Sequence, residues 1–294
     1  MKRIAVVGIG RWGKNLVREF SKFAIISKCV HQGNLENIRW LNTNYPEIPI
    51  TTNIEDILND PKIDAIAIAT PIHTHYKIIK NTLESGKHVF VEKPMTQTIN
   101  QANDLIKIAK RKNLSLFVGY IFLYNQIFKK IKKINERESI ININFNWQKF
   151  GTFNENIYEN LLSHDLSIVL ELLGTPKKFN LINTSSFITN VDSFSLQLEY
   201  SKNKKCSIII NRLSNTKKKT ITFFTKKNLY IWDENTLLKL DKKSKSFKII
   251  YETTDSPLYL ECKNFISNIK NNSDNSSAFL AKEITKIVSK INKF

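Results

Sequence analysis

The chain has 294 residues, 41% of them hydrophobic, enough for two ordinary domains and a large buried core. Its 45 lysines and arginines against 26 acidic residues give a formal charge of +19. The basic residues are spread over the whole length without a recognition helix, RNP-like strand or zinc finger, which excludes specific nucleic-acid binding from the expected functions.

Nothing resembles a signal peptide, and apolar runs such as Ala65 to Ala69 are far too short to span a bilayer. Three scattered cysteines, Cys29, Cys206 and Cys262, show neither disulfide nor metal spacing. The expectation is a reduced, cytoplasmic protein with no membrane partner and no metal. The local runs Lys110-Arg111-Lys112, Lys129-Lys130 with Lys132-Lys133, and Lys217-Lys218-Lys219 read as solvated helix ends and turns.

In chain order, Ile4 to Val7 is a short apolar strand that runs into Gly8-Ile9-Gly10-Arg11-Trp12-Gly13. Leu16, Val17, Phe20 and Phe23 then recur at helical spacing, so a helix opens near residue 11. Residues 25–30 form a second strand. Thr52-Asn53-Ile54-Glu55 has capping-box spacing and starts a short helix that Asp60-Pro61 ends. Ala65 to Ala69 is a buried strand, followed by a helix from about Thr74 to Ser85 with Gly86 as its stop. The strand at His88–Val91 delivers Lys93, and Thr98-Ile99-Asn100-Gln101 opens an amphipathic helix. Leu114 to Val118 is a further strand.

Strands alternating with helices at this spacing imply a parallel, doubly wound α/β sheet over residues 1–120, a Rossmann domain. After residue 120 the texture changes to alternating strands at 140–147, 194–200, 207–213, 220–224 and 229–232. One apolar helix at Ile157–Leu173 interrupts them, and two terminal helices lie near 258–270 and 277–292. Residues 121–294 are therefore expected to form an α+β domain with a large, mostly antiparallel open sheet. Its long strands suit a homodimer or homotetramer.

The Gly8-x-Gly10-x-x-Gly13 pattern gains meaning from its place between a strand and a helix. The first glycine permits the tight turn, the second lets a pyrophosphate approach the backbone, and the third lets helix and strand pack closely. The helix N-terminus adds unpaired N–H groups and the positive end of its dipole. About 20 residues on, where an acid usually holds the adenosine ribose, the chain has His31-Gln32-Gly33-Asn34. Neither a carboxylate nor an arginine stands there, so NAD and NADP both remain open. In an open α/β sheet ligands bind beyond the carboxyl ends of the strands, which is where Lys93 is delivered.

Several segments together resemble the glucose–fructose oxidoreductase / inositol dehydrogenase / rhizopine-catabolism (Gfo/Idh/MocA) family. They are Val7 to Asn15, Ala69-Thr70-Pro71-Ile72-His73-Thr74-His75, Gly86 to Pro94 with its Glu92-Lys93-Pro94 ending, Val118-Gly119-Tyr120 with Phe122 to Asn125, and Ser163-His164-Asp165-Leu166-Ser167-Ile168. The resemblance covers residues 1 to about 175. It implies a Rossmann domain binding NAD or NADP, and a second domain whose open sheet covers the nicotinamide and often mediates oligomers. It implies hydride transfer between a nicotinamide and a sugar or nucleotide-sugar carbinol carbon. It also implies a cofactor site at Gly8, Gly10, Arg11, Trp12 and Gly13, at Thr70, Pro71 and His75, and at Glu92 and Lys93, with His31 and Gln32 at the adenosine end. His164 is then the second catalytic group.

Alcohol oxidation by hydride loss needs a base for the hydroxyl proton, worth about 10²–10⁴-fold. An imidazole with an ordinary pKa near ~6.5 suits that task, so His164 is the expected proton acceptor. Lys93 is expected to act as an electrostatic clamp on the substrate oxygen. Four residues before His164 the family usually has an aspartate, whereas this chain has Asn160, which supplies no negative charge to support the imidazolium. A weaker base is expected, and a catalytically silent nucleotide-binding sensor or assembly protein on the same fold is the alternative.

Overall fold

The computed structural model describes residues 1–271 and 274–292. They fall into two compact units, Met1–Ile121 with Leu258–Lys286, and Phe122–Pro257 with the terminal segment from Ile287.

The first unit alternates strand and helix: β1 (Arg3–Val7), α1 (Arg11–Phe20), β2 (Ile25–Val30), α2 (Leu35–Asn44), β3 (Ile50–Thr51), α3 (Glu55–Leu58), β4 (Ala65–Ile68), α4 (Ile72–Glu84), β5 (His88–Glu92), α5 (Ile99–Arg111) and β6 (Leu116–Gly119). The six strands form one sheet in the order β3-β2-β1-β4-β5-β6, and every neighbour pair is parallel. This is the doubly wound order of dinucleotide-binding folds. The central strands are apolar on both faces because helices cover both: Ala65 to Ile68 are fully buried. Thr98 and Gln101 close a reciprocal capping box on α5.

The second unit contains α6 (Gln126–Glu138), β7 (Ile140–Phe150), α7 (Ser163–Leu173) and seven further strands, β8 (Lys178–Ser185), β9 (Ser193–Glu199), β10 (Lys205–Asn211), β11 (Leu213–Thr225), β12 (Leu229–Asp233), β13 (Thr236–Asp241) and β14 (Ser246–Glu252). They form one eight-stranded sheet, β14-β13-β12-β11-β7-β10-β9-β8. Only the β7–β10 pair is parallel. Alternate residues fill the core, among them Ile143, Phe145, Leu196, Ile208, Ile221 and Phe223. A buried arginine fixes one edge of this unit. Arg212 pairs with Asp192 at 3.2 Å and donates to the carbonyls of Thr152 and Glu155. Asp192 in turn accepts from the N–H groups of Phe187, Ile188 and Thr189.

The chain ends with α8 (Pro257–Asn271) and α9 (Ser276–Ile291). The sequence reading placed everything after residue 120 in the second domain; residues 258–286 instead join the first unit. The cause is specific packing. Phe265 of α8 sits against Phe20, Phe90 and Phe117, with ring centroids 6.1, 5.6 and 5.6 Å away. Asn275 accepts from the Leu116 N–H at 2.6 Å, and the Ser277 hydroxyl accepts from Val118 N–H. Together they satisfy the outer edge of β6, which has no strand beyond it.

Candidate functional site

In the first unit the parallel register places the ends of four strands together. Val7 lies opposite Val30 and Ile68, and Ile68 opposite Val91. The segments that follow are therefore neighbours on one edge of the sheet: Gly8 to Gly13, His31-Gln32, Thr70-Pro71, and Glu92-Lys93.

The three glycines differ in what surrounds them. Gly8 has φ +87°, and a Cβ there would lie 2.7 Å from the Ala69 carbonyl oxygen. A Cβ on Gly13 would lie 1.8 Å from the Gly8 carbonyl oxygen. A Cβ on Gly10 would meet nothing within 4 Å. Gly10 caps α1 without a side chain, and no acidic residue stands in the first turn. Backbone N–H groups and the positive helix end thus face open space in which a diphosphate fits. Arg11 and Trp12 are exposed at the same turn.

His31 follows β2 and accepts from the Gly33 N–H through Nδ1 at 2.8 Å, while Gln32 is exposed. Thr70 bonds the Thr74 hydroxyl at 2.7 Å, and exposed Pro71 caps α4. His75, expected beside the cofactor, is 1% exposed. Its Nδ1 lies 2.8 Å from the Pro94 carbonyl oxygen and its Nε2 2.8 Å from that of Thr70. Burial pushes this imidazole below its ordinary range, against the pull of the two carbonyls. His75 thereby ties the loop after β4 to the loop that carries Lys93.

In the second unit His164 stands at the start of α7, 8% exposed. The expected helix from Ile157 to Leu173 forms without a break, but its first part, Tyr158–Leu162, is a π-helical turn that runs directly into α7. Such turns carry i→i+5 hydrogen bonds and recur at functional sites. Asn160 lies inside it, so its spacing to His164 is not that of a regular α-helix.

The His164 ring stands perpendicular to Phe122 at 5.1 Å and lies 5.9 Å from Trp147. The same two rings face the Lys219 ammonium at 4.0 and 3.6 Å, and Asp165 pairs with that ammonium at 2.6 Å. Burial raises the Asp165 carboxyl and lowers the Lys219 amine from their ordinary ranges, with their mutual attraction opposing both shifts. Phe122, Trp147, Lys219 and Trp232 line a cavity of about 200 Å³. Lys217, Lys218 and Glu234 add charge of both signs to its lining.

Lys219 corrects the reading of Lys217-Lys218-Lys219 as a solvated turn. All three lie on β11, Lys217 and Lys218 are exposed, and the Lys219 amine is enclosed. The signal was in the sequence: position 219 shares strand parity with the buried Ile221 and Phe223. Asp165, Phe122, Trp147 and Trp232 carry no role in the sequence reading, because only tertiary packing brings together a helix, the turn after β6 and two strands.

Residues 2–120 match the oxidoreductase family with an NAD-binding Rossmann fold, Gfo/Idh/MocA. The scyllo-inositol 2-dehydrogenase (NADP(+)) of Bacillus subtilis is 31% identical over 176 residues, 54% of this chain and 49% of its own. The myo-inositol 2-dehydrogenase of Thermotoga maritima is 24% identical over 139 residues, 47% of this chain and 42% of its own. The chain thus spans about half the length of the curated relatives it matches. A solved structure of UDP-N-acetylglucosamine 3-dehydrogenase from Acidithiobacillus ferrooxidans superposes with TM-score 0.89 at 16% identity, covering 99% of this chain and 96% of that one. Identity that low shows a common fold. The parallel glycine-loop unit thus carries the match to the Gfo/Idh/MocA family of oxidoreductases, and the chain shares its fold with the superposed dehydrogenase.

Proposed function

We propose that the protein is an NAD(P)-dependent dehydrogenase or reductase acting on a carbinol carbon of a sugar or nucleotide sugar. The observation that carries this reading is the open Cβ direction of Gly10 at the uncapped start of α1, on the sheet edge that also bears Lys93. The inositol and UDP-sugar dehydrogenases among its relatives support the substrate class.

When bound, the nicotinamide supplies the hydride acceptor or donor. The chain's residues do the rest. Gly10 and the first N–H groups of α1 hold the diphosphate, flanked by Arg11 and Trp12. Thr70 and Pro71 line the ribose side, and His31 and Gln32 the adenosine end. Glu92 and Lys93 serve the nicotinamide end, where the Lys93 ammonium orients the substrate oxygen and stabilises negative charge as it develops. His164 takes the hydroxyl proton in oxidation and returns it in reduction. His75 is a positioning residue that ties the Thr70 backbone to that of Pro94, next to Lys93. Phe122 and Trp147 hold the His164 ring, and Asn160, one turn earlier, brings no charge to it.

A second reading, a silent nucleotide-binding sensor, is favoured by Asn160. Nucleotide titration followed by a substrate screen separates the two. Binding with substrate-dependent reduction of NAD⁺ or NADP⁺ supports the enzyme, binding without turnover supports the sensor, and no binding overturns both.

A further inference from the structure

The mechanism gives no role to Glu261, a buried acid that feels the charge of half-buried Glu92. Glu92 ends β5 and pairs in register with Gly119 of β6, so both present to the same face of the sheet. A Cβ on Gly119 would lie 3.6 Å from Glu261 Oε1 and 3.2 Å from the Phe90 ring. The missing side chain at 119 therefore makes room for the Glu261 carboxyl, which α8 lowers onto the face that Glu92 shares. Glu261 is 1% exposed, and its Oε1 has no hydrogen-bond partner among the described residues. Phe90, Phe117 and Phe265 close the apolar side, with ring centroids 5.4–5.6 Å apart.

Other titratable groups surround the pair. Lys93 follows Glu92 in the chain. Cys262 neighbours Glu261 on α8, and its thiol is pushed up by burial, then by Glu261, Glu92 and Glu19. Glu19 on α1 is already engaged by Lys22 at 2.6 Å and Arg18 at 3.4 Å. Two carboxylates brought onto one face in low dielectric cannot both ionise without a large penalty.

We infer that Glu92 and Glu261 hold one shared proton behind Lys93, and that the loading of this pair answers to the charge at the nicotinamide position. Burial raises both carboxyls, Glu92 against the pull of Lys93, and the Glu92 charge raises Glu261 further. The second half of the inference rests on the proposed cofactor site. An oxidised nicotinamide carries a positive charge and favours the ionised pair, whereas the reduced ring is neutral. Binding the oxidised form then expels the shared proton, and the affinity for that form rises with pH while the affinity for the reduced form stays flat. The two acids act through charge rather than by touching substrate, as positioning residues for Lys93.

Infrared difference titration of the nucleotide-free protein tests the pair itself. We expect a protonated-carboxyl band that persists near neutral pH, and a midpoint that falls by about one pH unit or more in Glu92→Gln and Glu261→Gln. Absence of the band in the unaltered protein, or an unmoved midpoint in both variants, overturns the shared proton regardless of cofactor. Calorimetric titration with NADP⁺ and NADPH in two buffers of different ionisation heat tests the coupling. We expect proton release with NADP⁺ and little with NADPH, lost in Glu261→Gln. Binding of both nucleotides with equal or no proton release overturns the coupling. Failure of either nucleotide, and of NAD⁺ and NADH, to bind overturns the proposed function, and with it the coupling, while the infrared result still decides the shared proton.

Discussion

A Cβ on Gly13 would lie 1.8 Å from the carbonyl oxygen of Gly8, whereas a Cβ on Gly10, three residues earlier, points into open space. One glycine is needed by the fold and the other by whatever lies against the loop. Gly13→Ala is expected to cost about 1–3 kcal/mol or more as backbone overpacking. Gly10→Ala, at an extended cap position, is expected to cost no more than about 1 kcal/mol yet to weaken NAD(P)H binding at least about tenfold. Thermal melting and a fluorescence titration check both halves. Loss of stability with intact binding in Gly10→Ala contradicts the assignment.

The Asp165–Lys219 pair is buried beneath the aromatic walls of the second unit's cavity, with side chains 0% and 16% exposed. Removing one partner strands a charge, so Lys219→Met is expected to destabilise by about 3–5 kcal/mol. The double variant with Asp165→Leu is expected to recover much of that loss, because no charge is left alone. Urea unfolding of both singles and the double measures the coupling. Additive losses contradict it.

Asp192 gives a pH signature. Burial alone would raise its carboxyl, but the Thr189 hydroxyl and the N–H groups of Thr189, Ile188 and Phe187 outweigh burial and hold it well below the ordinary range. A depressed carboxyl stabilises the fold above its unfolded pKa and loses that contribution as pH falls through the acid range. Asp192→Asn is therefore expected to be destabilised relative to the parent at pH 6, with the gap narrowing progressively below about pH 4. A gap that widens on acidification contradicts the sign.

Much of the first unit was legible because its signals are local. Apolar runs bounded by glycines give the buried strands, Thr98 and Gln101 announce a cap, and the three glycines sit where strand meets helix. The long-range features were hidden. Residues 258–286 read as ordinary amphipathic helices, and nothing in them states that Phe265 fits among Phe20, Phe90 and Phe117. β8 and β14 escaped notice because they are exposed along most of their length, so their patterns lack a clean apolar alternation. In the lysine run at 217–219 charge suggests solvent, while strand parity points Lys219 at Asp165. The π turn before His164 has no sequence signature of its own, which left the Asn160–His164 spacing to be read as regular helix.

His75 contributes a further expectation. Its ring is held at 2.8 Å from carbonyls on two loops, so His75→Ala is expected to raise KM for NAD(P) and lower kcat together, while an exposed neighbour such as His73 tolerates alanine. Burial depresses its pKa, and a histidine of that kind resists protonation when folded. Its contribution to stability is present above its unfolded pKa near ~6.5 and is lost as pH falls below it. Melting curves between pH 5 and 8 for parent and variant check the sign.

The most direct test is nicotinamide absorbance with NAD⁺ or NADP⁺ and a panel of inositols, sugars and nucleotide sugars. The account predicts substrate-dependent reduction by the unaltered protein, and a loss of about 10²–10⁴-fold in kcat for Lys93→Ala and His164→Ala while each still binds cofactor. Turnover at the parental rate in both variants would contradict it.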